Sequence, residues 1–316
     1  MEMKKARNIE IIRQLSLLFL LLLEIILFSL LAERFFSFSN AISILRQVSV
    51  TGISAMGMFM IILLGDIDLS VGSMYAFIGV VSALIFKTTE SAVLAIIAAL
   101  VIGTGIGFIN GTITARFKIP AFITTLATMS VCSGFAYIIT KGTPIGVTNP
   151  AFTFLGSGYI AGVIPLPIIF MLIVLALGYF TMYKTRFGRH IYACGGNAQA
   201  AKWSGINADK IKVLVFVIAG FLNGFAAIVL AGRLGGGLPS AGDGSEMDVI
   251  TAVVLGGTSM TGGKGKLWGV VLGVLIIGVL TVGLTMVGVS TYWQNVIKGV
   301  IIVAAVIIDT KGTKTA

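Results

Sequence analysis

Two aspartates, Asp66 and Asp68, lie close together in an otherwise apolar stretch. Paired aspartates can share one proton and perform acid-base chemistry, as they do in aspartyl proteases. That chemistry needs two carboxylates that meet across a cleft, whereas residues two positions apart usually point in different directions. No other aspartate offers itself as an intramembrane partner, because Asp243 and Asp248 lie in or beside a glycine-rich loop and Asp309 is near the C-terminus. We therefore do not expect an enzyme.

The two aspartates belong to the segment Leu64-Gly-Asp-Ile-Asp-Leu-Ser-Val-Gly-Ser73, which separates two apolar stretches that are short for membrane spans. A carboxylate at membrane depth is a functional hypothesis by default. A glycine-rich break there is tolerated only inside protein or beside a water-filled cavity. A tight turn at the membrane surface, with Asp68 or Ser70 capping the next helix, is the alternative. The sequence leaves both interpretations open.

A second glycine-rich segment, Val254-Leu-Gly-Gly-Thr-Ser-Met-Thr-Gly-Gly-Lys-Gly-Lys266, has some features of a phosphate-binding loop. Such a loop has the pattern G-x-x-x-x-G-K-[ST] between a strand and a helix. Here Thr258 stands five residues before Gly263, where the pattern requires glycine. Gly265 follows Lys264 in place of serine or threonine, and apolar spans flank the segment. We predict that this chain binds no nucleotide and no other cofactor, so any ATP is hydrolysed by another polypeptide.

The most polar segment, residues 184–212, has the pattern of short helices. Asn197 is a good N-cap, the next residues favour a helix, and Gly205 supplies a left-handed stop. Asn207 can cap the following span. A solvated connector explains these signals, but Trp203 beside small alanines favours a docking surface for a soluble partner, since tryptophan often anchors one protein in another.

The histidine and the cysteines predict no chemistry. His190 stands next to Arg189 among basic residues, which is typical of a solvated side chain. Cys132 and Cys194 are too few for a ligand cluster, and we expect neither a disulfide nor a metal site.

The composition requires a membrane environment for most of the chain. Of 316 residues, 57% are hydrophobic and 11% are charged, whereas soluble chains carry roughly 25% charged residues. Because about 20 apolar residues cross the hydrocarbon core, we predict an all-α integral membrane protein of one domain, residues 1–316, with about ten spans. The predicted spans are residues 14–32, 48–64, 71–86, 91–111, 121–140, 163–183, 212–231, 247–260, 268–288 and 292–308.

The basic residues orient these spans, because Lys and Arg collect on the cytoplasmic side. With both termini in the cytoplasm, 16 of the 22 basic residues fall on that side. The six others are Arg34, Arg46, Lys87, Lys141, Arg233 and Lys298. Topology thus explains the net charge of +10, with attraction to anionic lipid as a side effect, and we predict no nucleic-acid partner.

Glycine is abundant, at 40 residues, and often lies within the spans. Small residues let membrane helices approach closely, so we expect a tightly packed bundle. The breaks near Gly65 and within residues 232–245 each precede a similar span opening, which predicts two related halves of the kind that transporter duplications leave.

Three segments, taken in order, resemble the permeases of ribose-type, carbohydrate-uptake ATP-binding-cassette (ABC) importers, over residues from about Ile44 to Asp309. They are Gly65-Asp-Ile-Asp-Leu-Ser-Val-Gly-Ser73, where the family commonly reads G-G-I-D-L-S-V-G-S, then Gly195-Gly-Asn-Ala-Gln-Ala-Ala with Ser204-Gly-Ile, and Ala252-Val-Val-Leu-Gly-Gly-Thr-Ser with Gly262-Gly-Lys-Gly. Asp66 departs from the family pattern, which has a small residue at this position.

The resemblance implies a type II importer-like homodimer in the bacterial inner membrane, with the path at the subunit interface. It also implies an external sugar-binding protein and a tandem-domain cytoplasmic ATPase that binds ATP and Mg. Transport is then by alternating access. The coupling element lies between spans six and seven, within residues 184–212, which assigns ATPase coupling to Asn197, Ala198, Ala200, Ala201, Trp203, Ser204 and Gly205. The candidates for the translocation path or its gate are Gly65, Asp68, Ser70, Gly72, Gly256, Gly257, Thr258 and Ser259.

Other transporters remain as alternatives. A secondary transporter needs charged residues within spans to bind a driving ion, and few exist, with Glu24 in the first span and Lys298 in the last. Relatives that import branched-chain amino acids or a quorum-signal sugar derivative are nearer alternatives. Importers of this kind select their substrate mainly at the binding protein, so the sequence of the permease encodes the identity of the substrate poorly. Ribose is the first expectation, and other monosaccharides follow.

Overall fold

The computed structural model describes residues 2–314, with side chains described for residues 14–307. The described chain is mostly helical, as predicted. The helices are α1 (Glu2–Leu31), α2 (Phe38–Leu63), α3 (Val71–Thr89), α4 (Ala92–Arg116), α5 (Ala121–Thr140), α6 (Pro150–Ser157), α7 (Leu166–Lys184), α8 (Arg186–Gly196), α9 (Ala198–Trp203), α10 (Ala208–Leu234), α11 (Ser245–Leu255), α12 (Leu267–Met286) and α13 (Thr291–Lys314). Four two-residue strands form two antiparallel pairs: β1 (Ile145–Gly146) with β4 (Gly236–Gly237), and β2 (Tyr159–Ile160) with β3 (Ile164–Pro165).

Eight of the described helices are long and apolar enough to cross a membrane, namely α1 to α5, α7, α10 and α12. The tenth predicted span corresponds to α13, whose apolar part covers Thr291–Ile307. The eighth, predicted at residues 247–260, corresponds to α11 and is not an unbroken span. With 11 residues, α11 is about 16 Å long, against about 30 Å for the hydrocarbon core. The total of ten crossings stays a prediction.

An irregular segment, residues 235–244, precedes the short α11 and runs along α3. A methyl group built on Gly237 would lie 2.5 Å from the Cα of Val80, and one built on Gly242 would lie 3.0 Å from the Tyr75 side chain. Glycine therefore allows this backbone to pack directly on α3. Such packing satisfies the condition under which non-helical backbone is tolerated at membrane depth.

An ion pair fixes the start of α11. Lys298 of α13 lies 2.7 Å from the Asp248 carboxylate, and their side chains are 9% and 22% exposed. Removing one partner of a buried ion pair strongly destabilises the protein, because the other charge stays buried without compensation. Lys298, which the sequence identified as a charge within a span, is thus held by an internal partner.

The crossing of α4 and α10 is the most extensive contact between two helices in the fold. Gly103 and Gly107 of α4 face Gly220 and Gly224 of α10, and a methyl group on Gly220 would stand 2.8 Å from the Cα of Gly107. This close approach of backbones is the packing that the glycine content predicted.

Helix α2 begins ten residues before its predicted start at residue 48. Ser37 is its N-cap and accepts a hydrogen bond from the backbone N–H of Asn40 (3.2 Å). Residues 38–47 mix polar and apolar types, so hydropathy alone did not assign them to the span.

Four segments meet at one end of the bundle, here called the basic end. They are the loops of residues 64–70, 117–120 and 256–266, and residues 184–207, which contain α8 and α9. Lys118 lies 2.6 Å from Asp209, and Lys212 lies 2.7 Å from Asp66. The strands and α6 lie at the opposite end, where Val147 bonds to Gly235. Ten basic residues cluster at or beside these segments, namely Arg116, Lys118, Lys184, Arg186, Arg189, Lys202, Lys210, Lys212, Lys264 and Lys266. This clustering supports the predicted orientation, although the cytoplasmic position of the basic end stays a prediction.

Candidate functional site

The predicted two-turn helix is α9, and its caps are those that the sequence indicated. The Asn197 side chain accepts a hydrogen bond from the backbone N–H of Ala200 (2.9 Å). Gly205 ends the helix in the left-handed region, with φ of 81°. Asn207 then caps α10 by accepting a hydrogen bond from the backbone N–H of Lys210 (2.9 Å). Three short-range signals thus fix the shape of this segment.

The structure divides the predicted coupling residues into two sets. Trp203 is 80% exposed and Ala201 is 4% exposed. Ala201 packs into the bundle and anchors α9, so a bulky residue there would disturb the fold rather than a docking surface. The residues that face outward with Trp203 are Asn197, Ala198, Ala200, Ser204 and Gly205. Contact of this set with an ATPase stays a prediction.

A polar groove of about 560 Å³ lies beside α9. The lining residues are Lys118, Ala198, Gln199, Lys202, Gly205, Ile206, Asn207, Ala208 and Asp209. The Lys118–Asp209 ion pair crosses it, with side chains 66% and 57% exposed. Exposed pairs contribute little stability, so these charges are available to a partner at small cost to the fold.

The end of α8 joins α9 to the bundle through backbone contacts. A methyl group on Gly195 would overlap the carbonyl of Leu63 and lie 2.7 Å from the backbone nitrogen of Gly263. The Gly263 N–H donates to the same Leu63 carbonyl (2.9 Å). We call this point the glycine junction (Leu63, Gly195, Gly263). A methyl group on Gly262 would lie 3.0 Å from the backbone nitrogen of Gly65 and 2.8 Å from the carbonyl oxygen of Gly195, so the three segments that carry the resemblance meet here.

Asp66 lies beside the glycine junction and forms an ion pair with Lys212. Its carboxylate lies 2.7 Å from the Lys212 ammonium of α10, with side chains 12% and 27% exposed respectively. Burial raises the pKa of the Asp66 carboxyl, while the charge and hydrogen bond of Lys212 act to lower it. The ion pair links the loop of residues 64–70 to the first turns of α10.

Asp68 is buried in protein, at 3% exposure, which excludes an exposed surface turn. Its carboxylate accepts hydrogen bonds from the backbone N–H (2.8 Å) and the hydroxyl of Ser70. Asn110 of α4 donates to the Ser70 hydroxyl (3.5 Å), and Thr125 of α5 accepts from the backbone N–H of Leu69 (3.1 Å). Asp68 thus orders the start of α3 and ties it to two neighbouring helices.

The second set of predicted gate residues forms a closed loop beside the first. Gly256 packs on the backbone of Gly269, and Thr258 is fully buried. The backbone N–H of Ser259 donates to the carbonyl of Lys264 (2.8 Å). Gly65 faces Thr261, whose carbonyl oxygen would lie 3.5 Å from a methyl group at Gly65. Gly257 has φ of 93° in the same loop, and Gly72 lies apart, against Gly242.

Several residues of this region were not identified from the sequence. Lys212 appeared only as one of many cytoplasmic cations, and Asn110 and Thr125 lie within apolar stretches that carry no motif. A polar residue in such a stretch is a signal in itself, because a membrane helix seldom keeps one without a partner. The partner depends on helix packing, which sequence spacing does not give.

Comparisons with known proteins identify the family to which this chain belongs. A family model described as the permease component of the branched-chain amino acid transport system matches residues 40–306. The chain belongs to this permease family. As a permease component it is a transport subunit rather than an enzyme, which confirms the prediction from the sequence.

Three relatives are similar along nearly their whole length, and each is named ribose import permease protein RbsC. The protein of Escherichia coli K12 is 44% identical over 305 residues, which are 95% of this permease and 94% of the relative. That of Haemophilus influenzae is 43% identical (96% and 95%), and that of Bacillus subtilis is 41% identical (92% and 91%). No solved structure matches the permease.

Proposed function

We propose that this permease is the membrane subunit of an ATP-driven importer that carries a monosaccharide, ribose first, into a bacterial cell. The observation that carries the proposal is the identity of 41–44% to proteins named ribose import permeases over more than nine-tenths of the chain. Eight apolar helices make it a multi-pass protein of the cytoplasmic membrane. The held pair of Lys298 and Asp248 argues against a carrier that binds a driving ion at Lys298.

The basic end suits the docking of a separate ATPase, on which ATP and Mg are bound. Trp203 projects from α9, the groove beside it offers both charges, and the glycine junction connects α8 rigidly to α2. Closure of the ATPase on ATP would move α9 as a body. Packed helices exchange between discrete arrangements rather than deform continuously, so the path would open alternately to each side.

A second copy of the permease and lipid would cover the exposed helices. Helix α5 packs mainly on α3 and α4, and it leaves Ser130, Gly134 and Tyr137 exposed along one stripe. A polar and small stripe on a membrane helix favours a protein neighbour or a water-filled path over lipid. We place the dimer contact and the path along α5, and an external sugar-binding protein at the opposite end.

The test is reconstitution of the permease with its ATPase and binding protein in vesicles, followed by uptake of labelled sugars. We expect uptake that needs both ATP on the ATPase side and the binding protein, with ribose ahead of other monosaccharides. Leucine in the same panel tests the branched-chain amino acid alternative. Uptake by the permease alone, driven by an ion gradient, would show a carrier and overturn the proposal.

Replacement of Asp68 by asparagine is expected to impair uptake while the dimer persists. Hydrogen bonds to a charged acceptor contribute about 1.5–3 kcal/mol and neutral ones about 0.5–1.5 kcal/mol, so the start of α3 loosens without unfolding. Uptake and the elution volume of the complex measure the two effects. Asp243→Asn, in an exposed position of the irregular segment, is the matched control. Normal uptake by Asp68→Asn would reduce Asp68 to a structural role.

A further inference from the structure

The ion pair of Asp66 and Lys212 connects two segments that are remote from each other in the chain. Asp66 lies beside the glycine junction, in the loop between α2 and α3. The carboxylate is 12% exposed and meets its ammonium partner at 2.7 Å. A charge in such a place is costly unless it is paired, and Lys212 supplies the partner from another part of the chain.

Lys212 lies close to the proposed docking helix. The short connection of residues 204–207 joins α9 to α10, and Asn207 caps α10, whose first turns carry Lys212. A displacement of α9 therefore reaches the helix start that bears this side chain. The polar groove ends on the same turn, at Ala208 and Asp209, so a partner seated in the groove touches the element that bears Lys212.

Asp66 lies close to the proposed gate. It is two residues from Asp68, whose carboxylate orders the start of α3 through Ser70. Leu69 and Ser70 are in turn bound to α5 and α4 by Thr125 and Asn110. A shift of Asp66 therefore reaches the three helices α3, α4 and α5 through a short series of hydrogen bonds.

We propose that the Asp66–Lys212 pair is a clamp through which the docking segment positions the gate loop, residues 64–70. The inference rests on the proposed function and deepens it. Asp66 and Lys212 are positioning residues, since neither is placed in contact with the transported molecule. The glycine junction holds α8 against α2, while the clamp couples the start of α10 to α3.

The test uses the reconstituted complex with four variants: Asp66→Asn, Lys212→Met, the exchange Asp66→Lys with Lys212→Asp, and the conservative Asp66→Glu. Each single neutralisation leaves one partly buried charge without its partner. Neighbouring charges of this kind are energetically coupled, and we expect uptake per ATP hydrolysed to fall about tenfold. Hydrolysis by the bound ATPase should persist, since α9 is unchanged.

Rescue distinguishes a positioning role from a general loss of stability. Asp66→Glu should keep most of the uptake, and the exchange should recover at least half of what either single variant loses. Lys210→Met removes an exposed charge two residues from Lys212 and should leave the uptake ratio unchanged. An unchanged ratio in Asp66→Asn, or no recovery in either rescue variant, would overturn the clamp.

Hydrogen exchange separates this inference from the proposed function. ATPase binding should protect the amides of residues 64–72 in the unmodified permease and not in Asp66→Asn. If the unmodified complex takes up no sugar but shows this difference, the proposed function fails and the clamp stands. Equal protection in both proteins would overturn the clamp, whatever the uptake.

Discussion

Leucine in place of Gly107 is expected to prevent assembly of a stable bundle, whereas leucine in place of Gly105 is expected to be tolerated. A side chain on Gly107 would overlap the carbonyl of Phe216 and lie 3.1 Å from the Cα of Gly220. The two helices would have to separate where they cross. Overpacking typically lowers the free energy of unfolding by about 1–3 kcal/mol, and by more where backbone must move. We therefore expect Gly107→Leu to lower it by about 3 kcal/mol or more.

Gly105 is the matched control, because it lies on the same helix and a methyl group built on it would meet no atom of another described element within 4 Å. Leucine also has the higher helix propensity, by about 0.8–1 kcal/mol. The measurement is the temperature at which the detergent-solubilised permease loses its monodisperse elution peak. A melting temperature of Gly107→Leu equal to that of the unmodified protein would contradict the α4–α10 packing.

Alanine in place of Trp203 is expected to weaken binding of the ATPase roughly 30-fold, which corresponds to about 2 kcal/mol. Tryptophan is among the residue types that most often dominate an interface, and Trp203 is 80% exposed on a helix that contains three alanines. Because its side chain adds little to the core, the permease itself should insert and elute normally. Loss of docking would also abolish ATP-driven uptake.

Trp293→Ala is the control for Trp203→Ala, since Trp293 is 64% exposed at the opposite end of the bundle. ATPase affinity is measured by titration of the labelled ATPase against nanodisc-bound permease. A second variant, Ala200→Glu, places a charge on the exposed face of α9. If Trp203→Ala and Ala200→Glu both bind the ATPase with the affinity of the unmodified permease, the docking surface lies elsewhere on the basic end.

Local signals in the sequence determined most of the helices and the shape of the coupling segment. Runs of apolar residues indicated the spans, since the period and length of such runs follow from the bilayer itself. Asn197, Gly205 and Asn207 fixed the ends of α9 and α10 through hydrogen bonds to residues three positions away. Signals of this range need no knowledge of the tertiary fold.

The irregular segment before α11 could not be predicted from local signals of this kind. Hydropathy placed a span at residues 247–260, but the structure has the irregular residues 235–244 followed by a helix of 11 residues. Glycines at 237 and 242 permit this course because they pack on α3. Which helix they meet depends on contacts between distant segments, so the sequence indicated a glycine-rich loop and no more.

The sequence by itself determined that this is a multi-pass permease, and it marked Asp68, Trp203 and the glycine-rich loops as the places to examine. Only the tertiary structure decided how those places relate. In the structure Asp68 is buried, Ala201 faces the bundle, and Asp66 forms an ion pair with Lys212. The physical reason is that motifs and caps act over a few residues, whereas burial and ion pairing depend on helices that meet from remote positions in the chain.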